Sequence, residues 1–245
     1  MAIKSIQYKQ QTIDISYEII NPEAKVDLVV LHGWGSNKAL MKNSFSKYLD
    51  SFRHIYIDLP GFGKSTCNQV LTTADYAQIL EYFMVHLNVQ RDIMVGHSFG
   101  GKVATLLNPS VLVLLSSAGI IWPKSFKVKA KIYIYKTLKT LGLSKLRSRF
   151  VSEDAKELSE PMYETFKNVV DEDFTYNFEN YNGKALICWG EEDHATPLKS
   201  AHKIKELIKN SELEVYKGEH YFFMEHAEEI SKKIEHTFLS TLENK

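Results

Sequence analysis

The sequence predicts an α/β fold, in which helices cover both faces of a mostly parallel sheet. Short apolar runs alternate with helical patterns along most of the chain, as in parallel strands joined by right-handed crossovers. The run at residues 26–31 is almost continuously apolar, which is typical of a strand covered on both sides. A chain of 245 residues is long enough for one large domain with its own core.

The elements follow from these patterns in chain order. Residues 3–8 and 12–20 alternate apolar with polar residues and predict an antiparallel hairpin at a sheet edge. Further strands are predicted at 26–31, 55–59, 92–95, 111–115, 185–189 and 213–216. Helices are predicted at 38–49, after a cap at Thr73, directly after Ser98, at 197–208 and at 225–242.

The alternation stops between the predicted strands at 111–115 and 185–189. About sixty residues there have helical patterns and no strand pattern. We therefore expect a core domain formed by residues 1–118 and 183–245, with a helical cap inserted at 119–182. Apolar and aromatic residues of this cap favour an apolar substrate; they are Phe126, Ile132, Tyr133, Ile134, Tyr135, Leu138 and Leu141.

Composition narrows the classes of function. The formal net charge is zero, so no global charge favours binding to nucleic acid or to a membrane surface. No apolar run approaches the length of a membrane span, and the first ten residues lack the apolar region of a signal peptide. Cys67 lies in a polar stretch and Cys188 in an apolar one, so a structural disulfide is not expected. These features predict a cytoplasmic protein.

The central motif is Gly96-His97-Ser98-Phe99-Gly100, between a predicted strand and a predicted helix. A direct strand-to-helix turn forces its central residue into a strained backbone conformation, and glycine is favoured two positions to either side. The Ser98 hydroxyl is then presented at the carboxyl end of the strand. We interpret Ser98 as a nucleophile; the alternative is a serine in an ordinary glycine-rich loop.

A serine nucleophile needs an orienting acid, which should follow a late strand. Asp193 occupies a short loop between a predicted strand and a predicted helix. Glu191 and Glu192 compete, but they leave the strand earlier. An aspartate that merely caps the turn is the structural alternative. No acid follows the strand that ends before Ser116, which is the other common place for this residue.

The base should follow the last strand, where His220 is found. His226 is nearby but falls within a predicted helix, and His194 is interpreted as a loop residue. His97 adjoins the nucleophile but is expected to point away and to pack beneath the turn. Position in the chain therefore selects His220.

Two backbone amides are expected to form an oxyanion hole. One belongs to Phe99, at the start of the helix after Ser98, and the other to Trp34, in the stretch His32-Gly33-Trp34-Gly35 after a central strand. A tryptophan packed beside a glycine turn is the alternative, and the two are compatible. Residues 60–63 are interpreted as a structural turn. No metal-ligand spacing is found, and no cofactor is expected.

The order Ser98, Asp193, His220, with His32-Gly33 upstream and Asp58-Leu59-Pro60-Gly61-Phe62-Gly63-Lys64-Ser65 between, resembles the α/β-hydrolase superfamily, in its serine-nucleophile, cap-bearing esterase branch. The resemblance implies an eight-stranded, mostly parallel sheet with a lid after the sixth strand. The stretches at 31–35 and 58–63 are similar to those of pimeloyl-carrier methyl ester esterases and of C–C hydrolases that cleave ring-fission products. Two departures are a short helix after Ser98 and Glu219 in place of the small residue that often precedes the base.

The sequence thus predicts a serine hydrolase that cleaves a small or medium apolar carboxylic ester through an acyl-enzyme. Thioester or C–C bond hydrolysis is the enzymatic alternative, and a hydrolase-like pocket that only binds a small molecule is the non-enzymatic one. Residues 124–149 are rich in Lys and Arg and contain no acid. This stretch predicts either docking of an acyl-carrier or coenzyme A-linked substrate, or pairing with the acidic residues that follow it.

Overall fold

The computed structural model describes residues 1–122 and 159–243. In chain order, its strands are β1 (Ala2–Tyr8), β2 (Gln11–Ile20), β3 (Val26–Leu31), β4 (Phe52–Ile57), β5 (Ile93–His97), β6 (Val111–Leu115), β7 (Lys184–Gly190) and β8 (Ser211–Tyr216). The helices of the described part are α1 (Lys38–Phe45), α2 (Thr73–Leu87), α3 (Phe99–Leu107), α4 (Glu160–Val169), α5 (Thr175–Glu179), α6 (Lys199–Leu207) and α7 (Ala227–Glu243).

The strands form one eight-stranded sheet in the order β1-β2-β4-β3-β5-β6-β7-β8. The β1–β2 and β2–β4 pairs are antiparallel, and every later pair is parallel. The predicted fold class is confirmed. Because β3, β5, β6, β7 and β8 run in the same direction, the loops that follow them meet at one edge of the sheet. That edge holds the predicted site residues.

Apolar side chains fill both faces of the sheet. On one face, α2, α3 and α6 contribute residues such as Phe83, Val103 and Ile204. On the other, α1 and α7 contribute residues such as Phe45 and Phe238. The central strands are buried on both sides, which explains why their sequences are continuously apolar.

Three boundaries differ from the sequence prediction. Helix α2 is capped by Thr72, not Thr73, because the Thr72 hydroxyl and the Asp75 carboxylate bond each other's backbone amides in a capping box. Helix α1 ends at Phe45 rather than at residue 49, and Leu49 has a φ of 63°. The last helix begins at Ala227, so the prediction that His226 lies within a helix was wrong.

The predicted turn at 60–63 is built around buried Asp58. Its carboxylate accepts hydrogen bonds from the backbone amides of Lys38 and Lys64 and pairs with the Lys38 ammonium at 2.6 Å. A Cβ at Gly63 would lie 2.3 Å from the carboxylate carbon of Asp58, and φ is +56° there. Only glycine fits this position without strain.

The described part of the predicted cap is residues 119–122 and a return segment, residues 159–182. The return segment contains α4 and α5 and packs on the core. The Leu71 amide donates to Thr165 Oγ1 at 2.9 Å, and the Asn168 amide group donates to the Leu71 carbonyl. The seven apolar cap residues that the sequence analysis singled out and the basic stretch at 124–149 lie outside the described residues. Within 1–122 and 159–243, no helix is long and apolar enough to cross a membrane.

Candidate active site

Ser98 occupies the sharp turn between β5 and α3. It has φ 50° and ψ −113°, a conformation that is strained for a residue with a Cβ. Its amide is held by the Leu115 carbonyl of the neighbouring strand at 3.0 Å. The turn therefore holds Ser98 at the carboxyl edge of the sheet, where its half-buried side chain lines a cavity.

The flanking glycines are required because backbone atoms pass close by. A Cβ at Gly96 would lie 2.4 Å from the Gly100 carbonyl oxygen, and one at Gly100 would lie 2.6 Å from the His32 carbonyl oxygen. Backbone cannot rotate away as a side chain can. The glycine spacing of the motif thus follows from packing of the turn against α3 and the end of β3.

The loops after β7 and β8 bring Asp193 and His220 together. Asp193 Oδ2 lies 2.7 Å from His220 Nδ1. A carboxylate only accepts hydrogen bonds, so Nδ1 carries the proton and the neutral ring has its lone pair on Nε2. Gly190 makes room for this arrangement: a Cβ there would lie 2.4 Å from the Glu219 carbonyl oxygen.

The Asp193 carboxylate is buried and saturated with donors. Oδ1 accepts the backbone amides of Ala195 and Thr196, both at 2.8 Å, and Oδ2 accepts His220 Nδ1 and the Thr196 hydroxyl. Burial raises the pKa of Asp193, but the hydrogen bond and charge of His220 and the Thr196 amide outweigh it and lower that pKa to about 2. The carboxylate is therefore ionised and fixed in orientation.

The competing side chains lie elsewhere. Glu191, Glu192 and His194 are exposed. His226 contacts the Lys217 carbonyl through Nε2 at 3.0 Å, away from Asp193. In the described residues, Asp193 is thus the acid that contacts His220. Glu219 lines the cavity with an exposed side chain.

His97 is fully buried beneath the turn, as predicted, yet it also touches the base. Its ring centroid lies 4.6 Å from that of His220, and its Nε2 is 3.1 Å from the His220 carbonyl oxygen. Burial and the nearby His220 lower the pKa of His97 to about 3. A neutral His97 therefore donates to the backbone of His220 and supports that loop from below.

Phe99 and Trp34 line the same cavity as Ser98. Phe99 is the first residue of α3, and the first amides of a helix have no acceptor within it. The Trp34 ring packs edge-on against Phe99, with centroids 5.6 Å apart. That these two amides form an oxyanion hole stays a prediction.

His32 fixes the peptide that carries the Trp34 amide. His32 Nε2 accepts the Leu59 amide at 3.0 Å, so the proton of the neutral ring is on Nδ1, which donates to the Gly33 carbonyl at 2.7 Å. The Gly33 carbonyl and the Trp34 N–H belong to one planar peptide and point in opposite directions. Holding the carbonyl therefore orients the amide. Burial lowers the pKa of His32 to about 4, which keeps the ring neutral.

A cavity of about 1240 Å³ opens above these groups. Its described lining is largely apolar and aromatic and includes Trp34, Phe99, Ile120, Trp122, Phe166, Val169 and Phe222. Sequence reasoning missed two contributors, Lys102 and Trp122, because their roles depend on long-range contacts. The Trp122 indole donates to Ser200 Oγ at 2.8 Å, and Lys102 is treated below. Among the described residues, no group of three or more His, Cys, Asp or Glu side chains is arranged to hold a metal ion.

The sequence model of the alpha/beta hydrolase family matches residues 28–233, which is most of the chain. The chain belongs to the alpha/beta hydrolase family. This membership makes it an enzyme and disfavours the hypothesis of a pocket that only binds.

Curated relatives of this alpha/beta hydrolase support the same assignment. An uncharacterised hydrolase of Bacillus subtilis is 24% identical, over 82% of this chain and 85% of its own. A pimeloyl-[acyl-carrier protein] methyl ester esterase of Proteus mirabilis is 29% identical, over 56% of this chain and 58% of its own. A 2-hydroxy-6-oxononadienedioate/2-hydroxy-6-oxononatrienedioate hydrolase of Pseudomonas putida is 25% identical, over 86% and 87%. Among solved structures, an esterase of Exiguobacterium antarcticum shares the fold, with a TM-score of 0.74 and 23% identity over 96% of this chain and 98% of that one.

Proposed function

We propose that the protein is a serine hydrolase that cleaves small or medium apolar carboxylic esters. The observation that carries the proposal is the Asp193–His220 hydrogen bond of 2.7 Å, in the same cavity as a serine held at φ 50°. This arrangement leaves Nε2 of His220 as the available base beside a presented hydroxyl. The esterase names of one relative and one structural neighbour are consistent with it.

In the proposed mechanism, Ser98 Oγ attacks the ester carbonyl carbon while His220 Nε2 removes its proton. The ionised Asp193 stabilises the imidazolium that forms. The amides of Trp34 and Phe99 donate to the oxyanion, each contributing about 3 kcal/mol. His220 then protonates the leaving alcohol, and a water activated by the same histidine hydrolyses the acyl-enzyme. No step requires a cofactor.

The apolar lining of the cavity favours an apolar acyl chain or ring over a sugar or a peptide. We assign the substrate-facing lid to the cap at 119–182, inserted into a core of 1–118 and 183–245. Two relatives suggest alternative substrates. The pimeloyl-carrier esterase suggests an acyl-carrier-linked ester, and the Pseudomonas putida hydrolase suggests hydrolysis of a C–C bond. The two cysteines, Cys67 and Cys188, are both free, which supports the predicted cytoplasmic location.

The first experiment is labelling with a fluorophosphonate probe, followed by mass spectrometry, with Ser98→Ala as the control. A single adduct on Ser98, absent from the variant, is expected. Absence of labelling in folded protein contradicts the proposal, because an activated serine should react.

A panel of matched oxygen esters, thioesters and vinylogous diketones then separates the reaction classes. We expect the highest kcat/KM for oxygen esters. A diketone preference would instead favour C–C hydrolysis. Activity on a carrier-linked ester, compared with a free ester across salt concentrations, tests carrier docking: equal and weak salt dependence argues against it.

A further inference from the structure

Helix α3 carries a buried lysine that the proposed chemistry does not use. Lys102 lies one helical turn beyond Ser98, and its side chain is 1% exposed. An unpaired buried ammonium is strongly destabilising, so such residues are found where specific partners hold them. The partners of Lys102 therefore indicate what it does.

Those partners lie in the return segment. Lys102 Nζ donates to the Val169 carbonyl and lies 3.2 Å from Glu172 Oε2. The faces of Phe99 and Phe174 enclose the ammonium, with ring centroids 5.7 and 5.1 Å away. Burial lowers the pKa of Lys102, and the carboxylate of Glu172 opposes that shift.

The contact with Val169 matches the electrostatics of a helix end. Val169 is the last residue of α4, where carbonyl groups lack partners within the helix and carry partial negative charge. Lys102 therefore supplies from α3 a buried cation at the carboxyl end of α4, in addition to the exposed Lys167 in the last turn of α4. This joins the carboxyl end of α4 to the helix that begins at the nucleophile.

Glu172 extends the contact to a third element. Its Oε2 also accepts a hydrogen bond from the Thr73 hydroxyl, at the start of α2. The side chain of Glu172 is 33% exposed, whereas that of Lys102 is enclosed. We call Lys102, Glu172, Thr73 and the Val169 carbonyl the clamp.

The clamp forms part of one wall of the cavity, because Lys102 and Val169 both line it. Phe166, Val169 and Val170 belong to or adjoin α4, and all three line the cavity with Ser98. Phe166 also packs against Trp34, with ring centroids 5.3 Å apart. A shift of the carboxyl end of α4 would therefore change the depth of the cavity beyond the nucleophile.

We propose that Lys102 is a specificity-determining positioning residue, which holds the wall formed by the end of α4 and so sets the length of apolar chain that the cavity accepts. Lys102 acts through α4 and does not touch the reacting atoms. The inference rests on the proposed ester hydrolase function and deepens it, because it names the substrate property that this wall selects.

The test compares short and long esters in the parent and in Lys102→Met, which keeps the apolar stem and removes the ammonium. The pairs are p-nitrophenyl acetate with p-nitrophenyl octanoate, and ethyl acetate with octyl acetate, because the wall contacts either the acyl or the alcohol chain. For one pair, we expect KM of the long ester to rise about fivefold to tenfold and that of the short ester to change less than about twofold. In a folded variant, equal changes for long and short esters in both pairs overturn the proposal.

Lys167→Met is the matched control. Lys167 lies on α4, the helix whose carboxyl end Lys102 contacts from α3, but it is exposed and pairs with Glu164. We expect it to leave the long-to-short ratios at the parent values. A shift in the long-to-short KM ratio as large as that in Lys102→Met would show that loss of any positive charge near α4 changes this ratio. That result would overturn the assignment to Lys102.

Glu172→Gln tests the clamp if Lys102→Met does not fold. It removes one charge of the clamp at a part-exposed position, so we expect a shift in the same direction of about twofold to threefold. An unchanged ratio in this variant, with Lys102→Met unfolded, overturns the proposal.

Failure of the proposed function can be distinguished from failure of the clamp. If the parent and Ser98→Ala are equally inactive on all esters, the ester hydrolase proposal fails alone. Calorimetric binding of octanoate and acetate to the parent and to Lys102→Met then tests the clamp. Weaker octanoate binding in the variant, with acetate unchanged, supports it, and unchanged octanoate binding overturns it.

Discussion

The two halves of the site are held by different physical means. In the acid–base half, Asp193 and His220 are positioned by side-chain hydrogen bonds to one buried carboxylate. In the proposed oxyanion half, close backbone packing that Gly96 and Gly100 allow holds the turn at Ser98, and one side chain, His32, holds the peptide of Trp34. In the first half, activity should therefore fall when a hydrogen-bonding group is replaced by one of the same size. In the second half, activity should fall mainly when a side-chain atom is added to a closely packed glycine.

The largest expected effect is the loss of catalytic activity in Asp193→Asn. The oxygen of the new side chain must accept the two backbone amides that Asp193 Oδ1 accepts in the parent. Its NH₂ group then faces His220 Nδ1, so the proton of the neutral His220 ring moves to Nε2, which can no longer act as the base. We expect kcat/KM to fall by about 10³ to 10⁴, with an unchanged circular dichroism spectrum. Steady-state kinetics on an activated ester measure it, and a loss below tenfold would contradict the predicted role.

Gly100→Ala tests the oxyanion half by adding only a methyl group. The new Cβ would lie 2.6 Å from the His32 carbonyl oxygen and 2.8 Å from that of Leu31. We expect a loss of about 2–3 kcal/mol in the free energy of unfolding and a fall of about 10² to 10³ in kcat.

Gly101→Ala is the comparison for that variant. Its Cβ would lie 2.2 Å from Ser117 Oγ and 2.8 Å from Ser117 Cβ. The hydroxyl can rotate away and the Cβ must shift slightly, whereas the nearest atoms at Gly100 are two backbone carbonyl oxygens. Urea unfolding and kinetics on both variants should rank Gly100→Ala as the more damaging. The reverse order would contradict the inference that close backbone contacts hold the turn at Ser98.

His32→Phe sharpens the comparison, because it keeps an aromatic ring in the buried site while removing both of its hydrogen bonds. The Gly33 carbonyl then keeps only the Ser36 amide as a donor, at 3.2 Å, so the Trp34 amide is oriented less firmly. We expect kcat to fall by about 10² with a smaller change in KM. Steady-state kinetics on an activated ester measure the change, and a fall in kcat of less than about threefold would contradict this account.

The smallest effect per residue concerns stability in acid. The pKa values of His32 and His97 are lowered from 6.5 to about 4 and about 3, so the folded chain binds fewer protons than the unfolded chain below pH 6.5. Stability is complete above that pH and is lost as pH falls toward the folded values. At pH 5, each histidine should cost about 2 kcal/mol relative to pH 7.

Urea unfolding at both pH values measures this loss. Asp193, with a folded pKa of about 2, contributes a further loss only below about pH 4, the ordinary range of an aspartate. His97→Phe should remove about 2 kcal/mol of the loss between pH 7 and pH 5. His54, whose pKa burial also lowers, contributes to the loss that remains with His32. An unchanged loss in that variant would show that His97 does not titrate as a buried neutral group.

Much of this site could be predicted from the sequence, because its residues follow the ends of strands and those strands can be recognised from local patterns. The alternation of apolar runs predicts the parallel strands, and the rule that reactive groups follow strand ends selects Ser98, Asp193 and His220. The errors fall where tertiary contacts override local pattern. The last helix starts after His226, whose ring packs on Tyr216 with centroids 5.1 Å apart and whose Nε2 contacts the Lys217 carbonyl.

By itself, the sequence determined the fold class, the strained turn at Ser98 and the order of the three site residues, because periodicity, glycine spacing and strand-end position are local properties. Only the tertiary structure decided how the Asp193 carboxylate is oriented toward His220, how His32 orients the Trp34 amide, and that Lys102 reaches the end of α4. Those contacts join residues far apart in the chain or fix the direction of a single peptide. They depend on side-chain reach across packed elements, which no pattern along the sequence encodes.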